Sequence, residues 1–306
     1  MTERTEYDEF AYFADNASEY GIPYTGPPTV RREFVDVSGG RRVSALVWGT
    51  AEPELVLVHG GAQNAHTWDT VALALDRPLV AVDLPGHGHS DAAPARAAGQ
   101  TRPESLAPDV GEAIRRLAPN AHGIVGMSLG GLTSIALTAS APELFRSLVL
   151  VDITPGVTGE KAKAILDFVR GPATFPSFDE LLARTIEHNP TRTESSLRRG
   201  ILHNAVQLDD GSWIWRYRMH DGSTPMDESP DETDDRGRLW DVLGAVTVPV
   251  MLVRGMRPQS VVDDADEAEL LRRLPDARVE HVAEAGHSVQ GDTPVELAAL
   301  LAAFIP

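Results

Sequence analysis

A serine lies in a short glycine-rich segment, 126–131, which reads Gly-Met-Ser-Leu-Gly-Gly. A serine hydroxyl is a weak nucleophile unless a base accepts its proton. The pattern G-x-S-x-G places such a serine in a sharp turn between a strand and a helix. The apolar residues 123–125 and the helix-compatible residues 132–140 provide that context, and small flanking residues let the strand and helix pass closely. Ser128 is therefore the candidate nucleophile.

The candidate base is His287, in the sequence Ala-Gly-His at 285–287. It follows the last predicted strand and precedes the C-terminal helix, at the sheet edge where the serine turn also emerges. His87 and His89 are close enough in sequence to suggest a metal pair, but no third ligand accompanies them, and we expect them to make hydrogen bonds within their loop. Three further histidines lie where one could contact substrate: His188, His203 and His220.

Two positions compete for the acid that orients the base. Asp152 ends the sixth predicted strand, which places a carboxylate at the carboxyl end of a strand. Asp263 and Asp264 follow the seventh predicted strand, in the first turn of the next helix, where the helix dipole alone favours carboxylates. Asp152 also has a structural interpretation, as a cap for the turn that follows it. Spacing alone leaves the choice open.

Short apolar runs alternate with helical segments, which is typical of parallel strands joined by crossover helices. Strands are predicted at 30–37, 43–48, 54–58, 79–83, 121–127, 147–152, 248–254 and 278–283. Helices are predicted at 67–75, 104–117, 129–140, 263–273 and 294–303. The pattern predicts an α/β fold, with a mostly parallel eight-stranded sheet covered by helices on both faces.

Residues 154–241 interrupt this alternation, with amphipathic segments at 159–170, 178–188 and 193–205 and no buried strand. We interpret them as a mainly helical cap inserted into a core of 30–153 and 242–306, with 1–29 as an N-terminal extension. Trp213, Trp215 and Tyr217 alternate, so they share one face of an extended segment. They either pack the cap against the core or, in the case of the two tryptophans, contact substrate.

Four ordered segments resemble the α/β-hydrolase superfamily: Leu-Val-Leu-Val-His-Gly-Gly at 55–61, Asp-Leu-Pro-Gly-His-Gly-His-Ser at 83–90, 126–131 and 285–287. The resemblance runs from about residue 30 to residue 306. It implies the α/β-hydrolase fold and a serine hydrolase that forms an acyl-enzyme. It also implies an oxyanion hole made by the backbone N–H groups of Leu129 and of Gly61 or Ala62. Similar small serine esterases place their acid in an Asp-Ile-x-Pro stretch, which favours Asp152.

The resemblance implies a carboxylic ester or lactone as substrate. Ala62, Trp213 and Trp215 are candidate substrate contacts, and the apolar side chains of the cap suggest a small to medium hydrophobic group. These side chains are Ile165, Phe168, Phe175, Phe178, Leu181, Trp213 and Trp215. Two alternatives share the Ser-His-Asp set: a hydrolase of carbon–carbon bonds in vinylogous diketones, and a small-ligand receptor with low turnover.

Composition narrows the remaining possibilities. The chain has 27 basic and 45 acidic residues, a formal net charge of −18, which argues against nucleic-acid binding and against strongly anionic substrates. It has no cysteine and therefore no thiolate nucleophile or Cys-ligated zinc. The acidic runs at 227–235 and 263–269 lack the ligand spacing of a metal loop, and we expect no metal and no cofactor, with water as the co-substrate. Residues 1–20 lack the features of a secretory signal and no apolar run reaches membrane-spanning length, so a cytoplasmic location is expected.

Overall fold

The computed structural model describes residues 7–92, 102–218 and 232–306. Its strands are β1 (Val30–Val37), β2 (Arg41–Trp48), β3 (Leu55–Val58), β4 (Leu79–Val82), β5 (Gly123–Met127), β6 (Leu148–Val151), β7 (Thr174–Phe175), β8 (Ala205–Gln207), β9 (Trp213–Trp215), β10 (Val250–Gly255) and β11 (Arg278–Val282). Its α-helices are α1 (Phe13–Glu19), α2 (Asp69–Leu75), α3 (Pro103–Leu117), α4 (Leu129–Ser140), α5 (Lys163–Val169), α6 (Phe178–His188), α7 (Glu194–Asn204), α8 (Glu232–Gly244), α9 (Asp264–Arg273), α10 (Val289–Asp292) and α11 (Pro294–Phe304).

The eight predicted strands form one sheet, in the order β1-β2-β4-β3-β5-β6-β10-β11. Strand β2 is antiparallel to both of its neighbours, and the other pairs are parallel. Because side chains alternate along a strand, Val56 and Val58 of β3 enter the apolar core on one face of the sheet, whereas Leu55 and Leu57 enter the core on the other. Both faces are therefore buried, which explains why the central strands are apolar throughout.

Different helices cover the two faces. Side chains of α3, α4, α8 and α9 contribute to one core, and side chains of α1, α2 and α11 contribute to the other. None of the helices in the described ranges is long and apolar enough to cross a membrane.

The region between β6 and α8 contains α5, α6, α7 and a small antiparallel sheet in the order β7-β9-β8. The sequence predicted an extended segment at the position of β9 but not β7 or β8, because each of these strands has only two or three residues and pairs only within the small sheet. Trp213 and Trp215 lie on β9, as the predicted extended segment requires, whereas Tyr217 lies in the 3-10 helix Arg216–Arg218 that follows. All three side chains are buried in one apolar cluster of this region.

Two segments next to the predicted domain boundaries pack on the main sheet. Helix α8 runs through residue 241, where the cap was expected to end, and Leu239, Trp240 and Leu243 pack into the main core. In the N-terminal segment, the Phe13 ring lies 5.0 Å from the Trp48 ring of β2. Both segments therefore cover the sheet. The acidic residues 227–231 lie outside the described residues.

Candidate active site

Ser128 occupies the turn between β5 and α4. Its backbone has φ 49° and ψ −122°, a conformation that is strained for a residue with a side chain. The turn is tight: a Cβ atom at Gly126 would lie 2.6 Å from Gly131 Cα, and one at Gly130 would lie 2.3 Å from the carbonyl oxygen of Val58. The glycines around Ser128 are therefore required by close contact between the strand, the turn and the helix.

Asp152 lies beside this turn because β5 and β6 are in register, with Met127 paired to Val151. Its side chain is fully buried, and its backbone φ is 46°. The carboxylate Oδ1 accepts hydrogen bonds from Gly255 N at 2.9 Å and Ser260 Oγ at 2.6 Å, and Oδ2 accepts one from Val261 N at 3.1 Å. Three donors therefore fix the orientation of the carboxylate.

His287 is brought to Asp152 by the loop that follows β11. Its Nδ1 atom lies 2.9 Å from Asp152 Oδ2. The loop crosses closely over the end of β10, since a Cβ at Gly255 would lie 2.2 Å from the carbonyl oxygen of Gly286. Gly286 N also donates to Asp292 Oδ2 at 2.9 Å, which holds the loop from the other side.

The alternative acids have other partners. Asp263 is the N-cap of α9, where its side chain accepts from Asp266 N, and it forms a 2.8 Å ion pair with Lys161. The hydrogen bond from Lys161 lowers the pKa of the Asp263 carboxyl. The Asp264 side chain is 97% exposed and forms a 2.8 Å ion pair with Arg254. Both carboxylates thus stabilise the start of α9, and the described contacts bring Asp152, not these residues, to His287.

The candidate oxyanion donors flank Ser128. The loop after β3 lies against the serine, because a Cβ at Gly60 would be 3.1 Å from Ser128 Cβ. Gly61 follows directly, and Leu129 begins α4, where the first N–H groups have no partner within the helix. Neither N–H group has a hydrogen-bond acceptor among the described residues. Ala62 has a positive φ of 60°, and its carbonyl oxygen accepts from Asn204 Nδ2 at 2.6 Å, which ties the loop to α7.

Ser128 and His287 line the same cavity, together with residues of the region between β6 and α8. Apolar side chains form one part of its wall: Met127, Ala164, Ile165, Phe168 and Val169. Polar side chains form another part: Gln63, His188, Asn189, Thr191, Arg192, Gln259 and Asp292. The cavity therefore offers both an apolar surface and hydrogen-bonding groups to a ligand.

The predicted substrate contacts are only partly brought together. Ala62 lines the Ser128 cavity, as do Ile165 and Phe168. Neither tryptophan lines it within the described part of the chain. Trp213 packs on Phe178, with ring centroids 5.1 Å apart, because both belong to the apolar cluster within the cap.

Trp215 belongs to that same cluster and also lines a neighbouring cavity that shares Ala62 and Phe168 with the first. Of the other predicted apolar contacts, Phe175 and Leu181 are buried in the cluster.

The histidines considered as candidate site residues lie in different parts of the structure. His188 lines the Ser128 cavity, whereas His203 lies in the neighbouring one and His220 lies outside the described residues. His87 Nδ1 lies 3.2 Å from the carbonyl oxygen of Pro85 in its own loop. His89 donates its backbone N–H to Asp83 Oδ2 at 3.1 Å, and burial lowers the pKa of its ring to about 4.

Sequence reasoning did not identify Arg192 and Ser260. Ser260 contacts the Asp152 carboxylate from a loop that carries no motif. The Arg192 guanidinium borders the Ser128 cavity, where its Nη2 donates to Ser196 Oγ at 2.6 Å and its Nε has no hydrogen-bond partner among the described residues. Burial lowers the pKa of Arg192. The net charge of the chain suggested a bias against anionic substrates, whereas Arg192 places a positive charge beside the Ser128 cavity.

Comparison with known proteins places the chain in a family. Residues 53–294 match the profile of a protein family described as alpha/beta hydrolase fold. The chain belongs to the α/β-hydrolase family. Esterase Rv0045c of Mycobacterium tuberculosis is 43% identical over 300 residues, which cover 95% of this chain and 94% of that esterase. A solved structure of the M. tuberculosis esterase has a TM-score of 0.83 at 42% identity and covers 98% of this chain and 99% of that chain.

A more distant relative of this α/β-hydrolase is the 3-hydroxybutyrate-oligomer hydrolase of Cupriavidus necator. It is 28% identical over 279 residues, which cover 87% of this chain and 94% of the relative. Together these similarities confirm the predicted fold and the predicted enzyme class, an α/β-fold hydrolase of the type that cleaves carboxylic esters.

Proposed function

We propose that this α/β-hydrolase is a serine esterase in which Ser128, His287 and Asp152 form the catalytic triad. The observation that carries the proposal is the 2.9 Å contact between His287 Nδ1 and Asp152 Oδ2, with the imidazole bordering the cavity that Ser128 also lines. A buried carboxylate on Nδ1 keeps the proton there and leaves Nε2 as the base.

The reaction proceeds by two acyl transfers. Ser128 Oγ attacks the ester carbonyl carbon while His287 Nε2 takes the hydroxyl proton, and the carbonyl π electrons move to oxygen. The tetrahedral intermediate collapses, its C–O bond to the alcohol breaks, and His287 returns the proton to the leaving alkoxide. Water then attacks the acyl-enzyme with the same base, which releases the acid and restores Ser128.

The developing oxyanion is stabilised by the N–H groups of Leu129 and Gly61. Both are backbone donors next to Ser128, and one belongs to the positive end of α4. A donor of this kind contributes about 3 kcal/mol to the stability of the transition state. Backbone donors are held by the strained turns at Ser128 and Ala62, so they need little reorganisation during the reaction.

The proposed substrate is an ester of small to medium hydrophobic groups. The apolar wall around Ile165 and Phe168 provides the surface for such a group. The relative named as an esterase supports an ester bond. A lactone is an internal ester that the same steps open, and it forms the second substrate class. Helix α5 of the predicted cap supplies Ala164, Ile165, Phe168 and Val169 to this wall, so the cap contributes to the choice of substrate.

The test compares the wild-type chain with Ser128→Ala on p-nitrophenyl butyrate and on a panel of esters, lactones and thioesters. We expect the variant to lose roughly 10⁴-fold or more in kcat, because the remaining donors and the cavity alone provide little turnover. Unchanged turnover in the variant would refute the proposal. Turnover of a vinylogous diketone without ester turnover would indicate the carbon–carbon hydrolase, and fluorophosphonate labelling of Ser128 without any turnover would indicate a receptor.

A further inference from the structure

Arg192 lies where two cavities of the structure meet. It belongs to the loop between α6 and α7 and lines both the Ser128 cavity and the neighbouring cavity that contains Trp215. The two cavities share five lining residues, which are Ala62, Gln63, Phe168, Asn189 and Arg192. A ligand that occupies the Ser128 cavity therefore borders this arginine.

The Arg192 guanidinium has few partners within the protein. It carries five N–H donors, but its one hydrogen bond with the described residues is the 2.6 Å bond from Nη2 to Ser196 Oγ. Its Nε is buried and has no acceptor there. No described carboxylate forms an ion pair with Arg192, whereas Arg199 on α7 is paired with Glu19. Because buried donors and charges need partners, this guanidinium is suited to an acceptor on a ligand.

The position of Arg192 is tied to the loop of the candidate base. Thr191 Oγ1 donates to Asp292 Oδ1 at 2.8 Å, and Gly286 N donates to Asp292 Oδ2 at 2.9 Å. Asp292 therefore joins the residue before Arg192 to the residue before His287. A group held by the guanidinium would consequently lie at a fixed distance from the reacting ester, which is the condition for productive binding.

The charges around the guanidinium favour a monoanion. Asp292 is the only acidic residue that lines either cavity in the described ranges, and both of its oxygens already accept hydrogen bonds. It acts on Arg192 through space and not by a direct ion pair, as does Glu19. One guanidinium near one carboxylate can balance a single added negative charge, whereas a phosphate dianion would also be repelled by Asp292.

We propose that the esters cleaved at Ser128 carry a free carboxylate, which Arg192 binds. This inference rests on the proposed function, because the carboxylate belongs to the same molecule as the ester that Ser128 attacks. The planar guanidinium matches the two oxygens of a carboxylate. The apolar wall around Ile165 and Phe168 then contacts the hydrocarbon part of the substrate. The substrate class comprises monoesters of dicarboxylic acids and esters of hydroxy acids whose carboxyl group is free.

This substrate class is compatible with the acidic surface of the chain. The net charge of −18 suggested a bias against strongly anionic substrates. Exposed charges are screened beyond about 8 Å at physiological ionic strength, whereas a guanidinium inside a cavity acts on atoms in contact with it. The sequence did not predict this role, because Arg192 is joined to the Ser128 cavity only by the fold.

The test compares kcat/KM for pairs of esters that differ in charge but not in length. The acyl-side pair is monomethyl adipate and methyl hexanoate, and the alcohol-side pair is p-butyryloxybenzoate and p-butyryloxybenzamide. We expect the wild-type chain to favour the carboxylate by about tenfold or more in one pair at least, and that pair identifies the side that Arg192 binds. The absence of a preference in both pairs would overturn the proposal.

Variants of Arg192 separate charge from packing. Arg192→Gln should lower kcat/KM for the carboxylate ester about tenfold relative to its neutral partner. Arg192→Lys keeps the charge but loses the planar donor pair, so its loss should be smaller. The control Arg198→Gln makes the same change at a half-exposed arginine of α7 that pairs with Glu194, and it should keep the wild-type preference. Equal losses for both esters in Arg192→Gln would indicate a merely structural role and refute the proposal.

A binding measurement distinguishes this proposal from the proposed function. Ser128→Ala cannot form an acyl-enzyme, so calorimetry with monomethyl adipate measures binding alone. We expect binding to be at least about tenfold weaker when Arg192→Gln is added to Ser128→Ala, with thermal melts to establish that both proteins are folded. Equal affinity in the two proteins would overturn the carboxylate site even if esters are cleaved. Binding that depends on Arg192 without any ester turnover would support the site and refute the esterase.

Discussion

Replacing Asp152 with asparagine preserves the size of the side chain and removes its charge. In the transition state His287 becomes an imidazolium, and its Nδ1 lies 2.9 Å from Asp152 Oδ2. Coulomb's law with an effective dielectric constant of about 20 gives roughly 6 kcal/mol for two unit charges at that distance. Since each 1.4 kcal/mol corresponds to about a factor of ten in rate, kcat should fall by about 10⁴. KM should change little, because the charge pair exists only after proton transfer.

Hydrogen bonding adds a second effect in the same direction. Asp152 Oδ2 also accepts from Val261 N at 3.1 Å. If the asparagine NH₂ group takes the Oδ2 position, it faces the His287 ring as a donor and stabilises the tautomer that carries its proton on Nε2. That tautomer cannot accept the proton of Ser128. The alternative orientation opposes the N–H of Gly255, which is 2.9 Å from Oδ1.

The assay is p-nitrophenyl butyrate hydrolysis under saturating substrate, with thermal melts to establish that the variant is folded. Asp263→Asn and Asp264→Asn are the matched controls, since they make the same chemical change at carboxylates that contact Lys161 and Arg254. Both controls should retain wild-type kcat. The reasoning is refuted if folded Asp152→Asn keeps more than about a tenth of wild-type kcat, or if Asp263→Asn loses as much activity.

Three further changes test other parts of the molecule. Gly130→Ala places a Cβ 2.3 Å from a backbone carbonyl of β3 and should lower both turnover and melting temperature. Gly200→Ala lies in open space on α7 and should raise the free energy of unfolding by about 0.5–1 kcal/mol. Equal changes in melting temperature for the two variants would contradict the argument from close contact. Arg192→Met removes the guanidinium from the Ser128 cavity, so kcat/KM for a monoester that carries a carboxylate should fall about tenfold relative to a neutral ester of equal length, and parallel losses for both esters would exclude a charge effect. Folding lowers the pKa of His89 from 6.5 to about 4. As the pH falls from 6.5 toward 4, His89 takes up a proton in the unfolded chain but stays neutral in the folded protein, so it lowers the free energy of unfolding in this range. Above pH 6.5 it has no such effect. Between pH 7 and pH 5, the free energy of unfolding measured in urea should fall by about 1 kcal/mol less in His89→Gln than in the wild type, after allowance for the partial exposure of His89.

The sequence determined the architecture because its strongest signals are local. Each central strand is a short apolar run, such as 55–58 or 148–151, and a strand buried on both faces must be apolar throughout. The turn at Ser128 was equally predictable, since its glycines are required within a few residues of the serine. The candidate base also lies in a local motif, Ala-Gly-His at 285–287, so its approximate position follows from the chain order of the strands.

Only the tertiary structure decided which groups meet. Asp152 and Asp263 both follow strands, and what separates them is the register of β5, β6 and β10 together with the loop that carries His287 over Gly255. The same holds for Trp213, whose spacing predicted a shared face but not whether that face lines the cavity or the interior of the cap. No local pattern predicted the positions of Arg192 and His203, because the cavities that they line are formed by segments distant in sequence. Burial, hydrogen bonds and charge pairs between distant segments depend on three-dimensional distance, which periodicity along one chain does not encode.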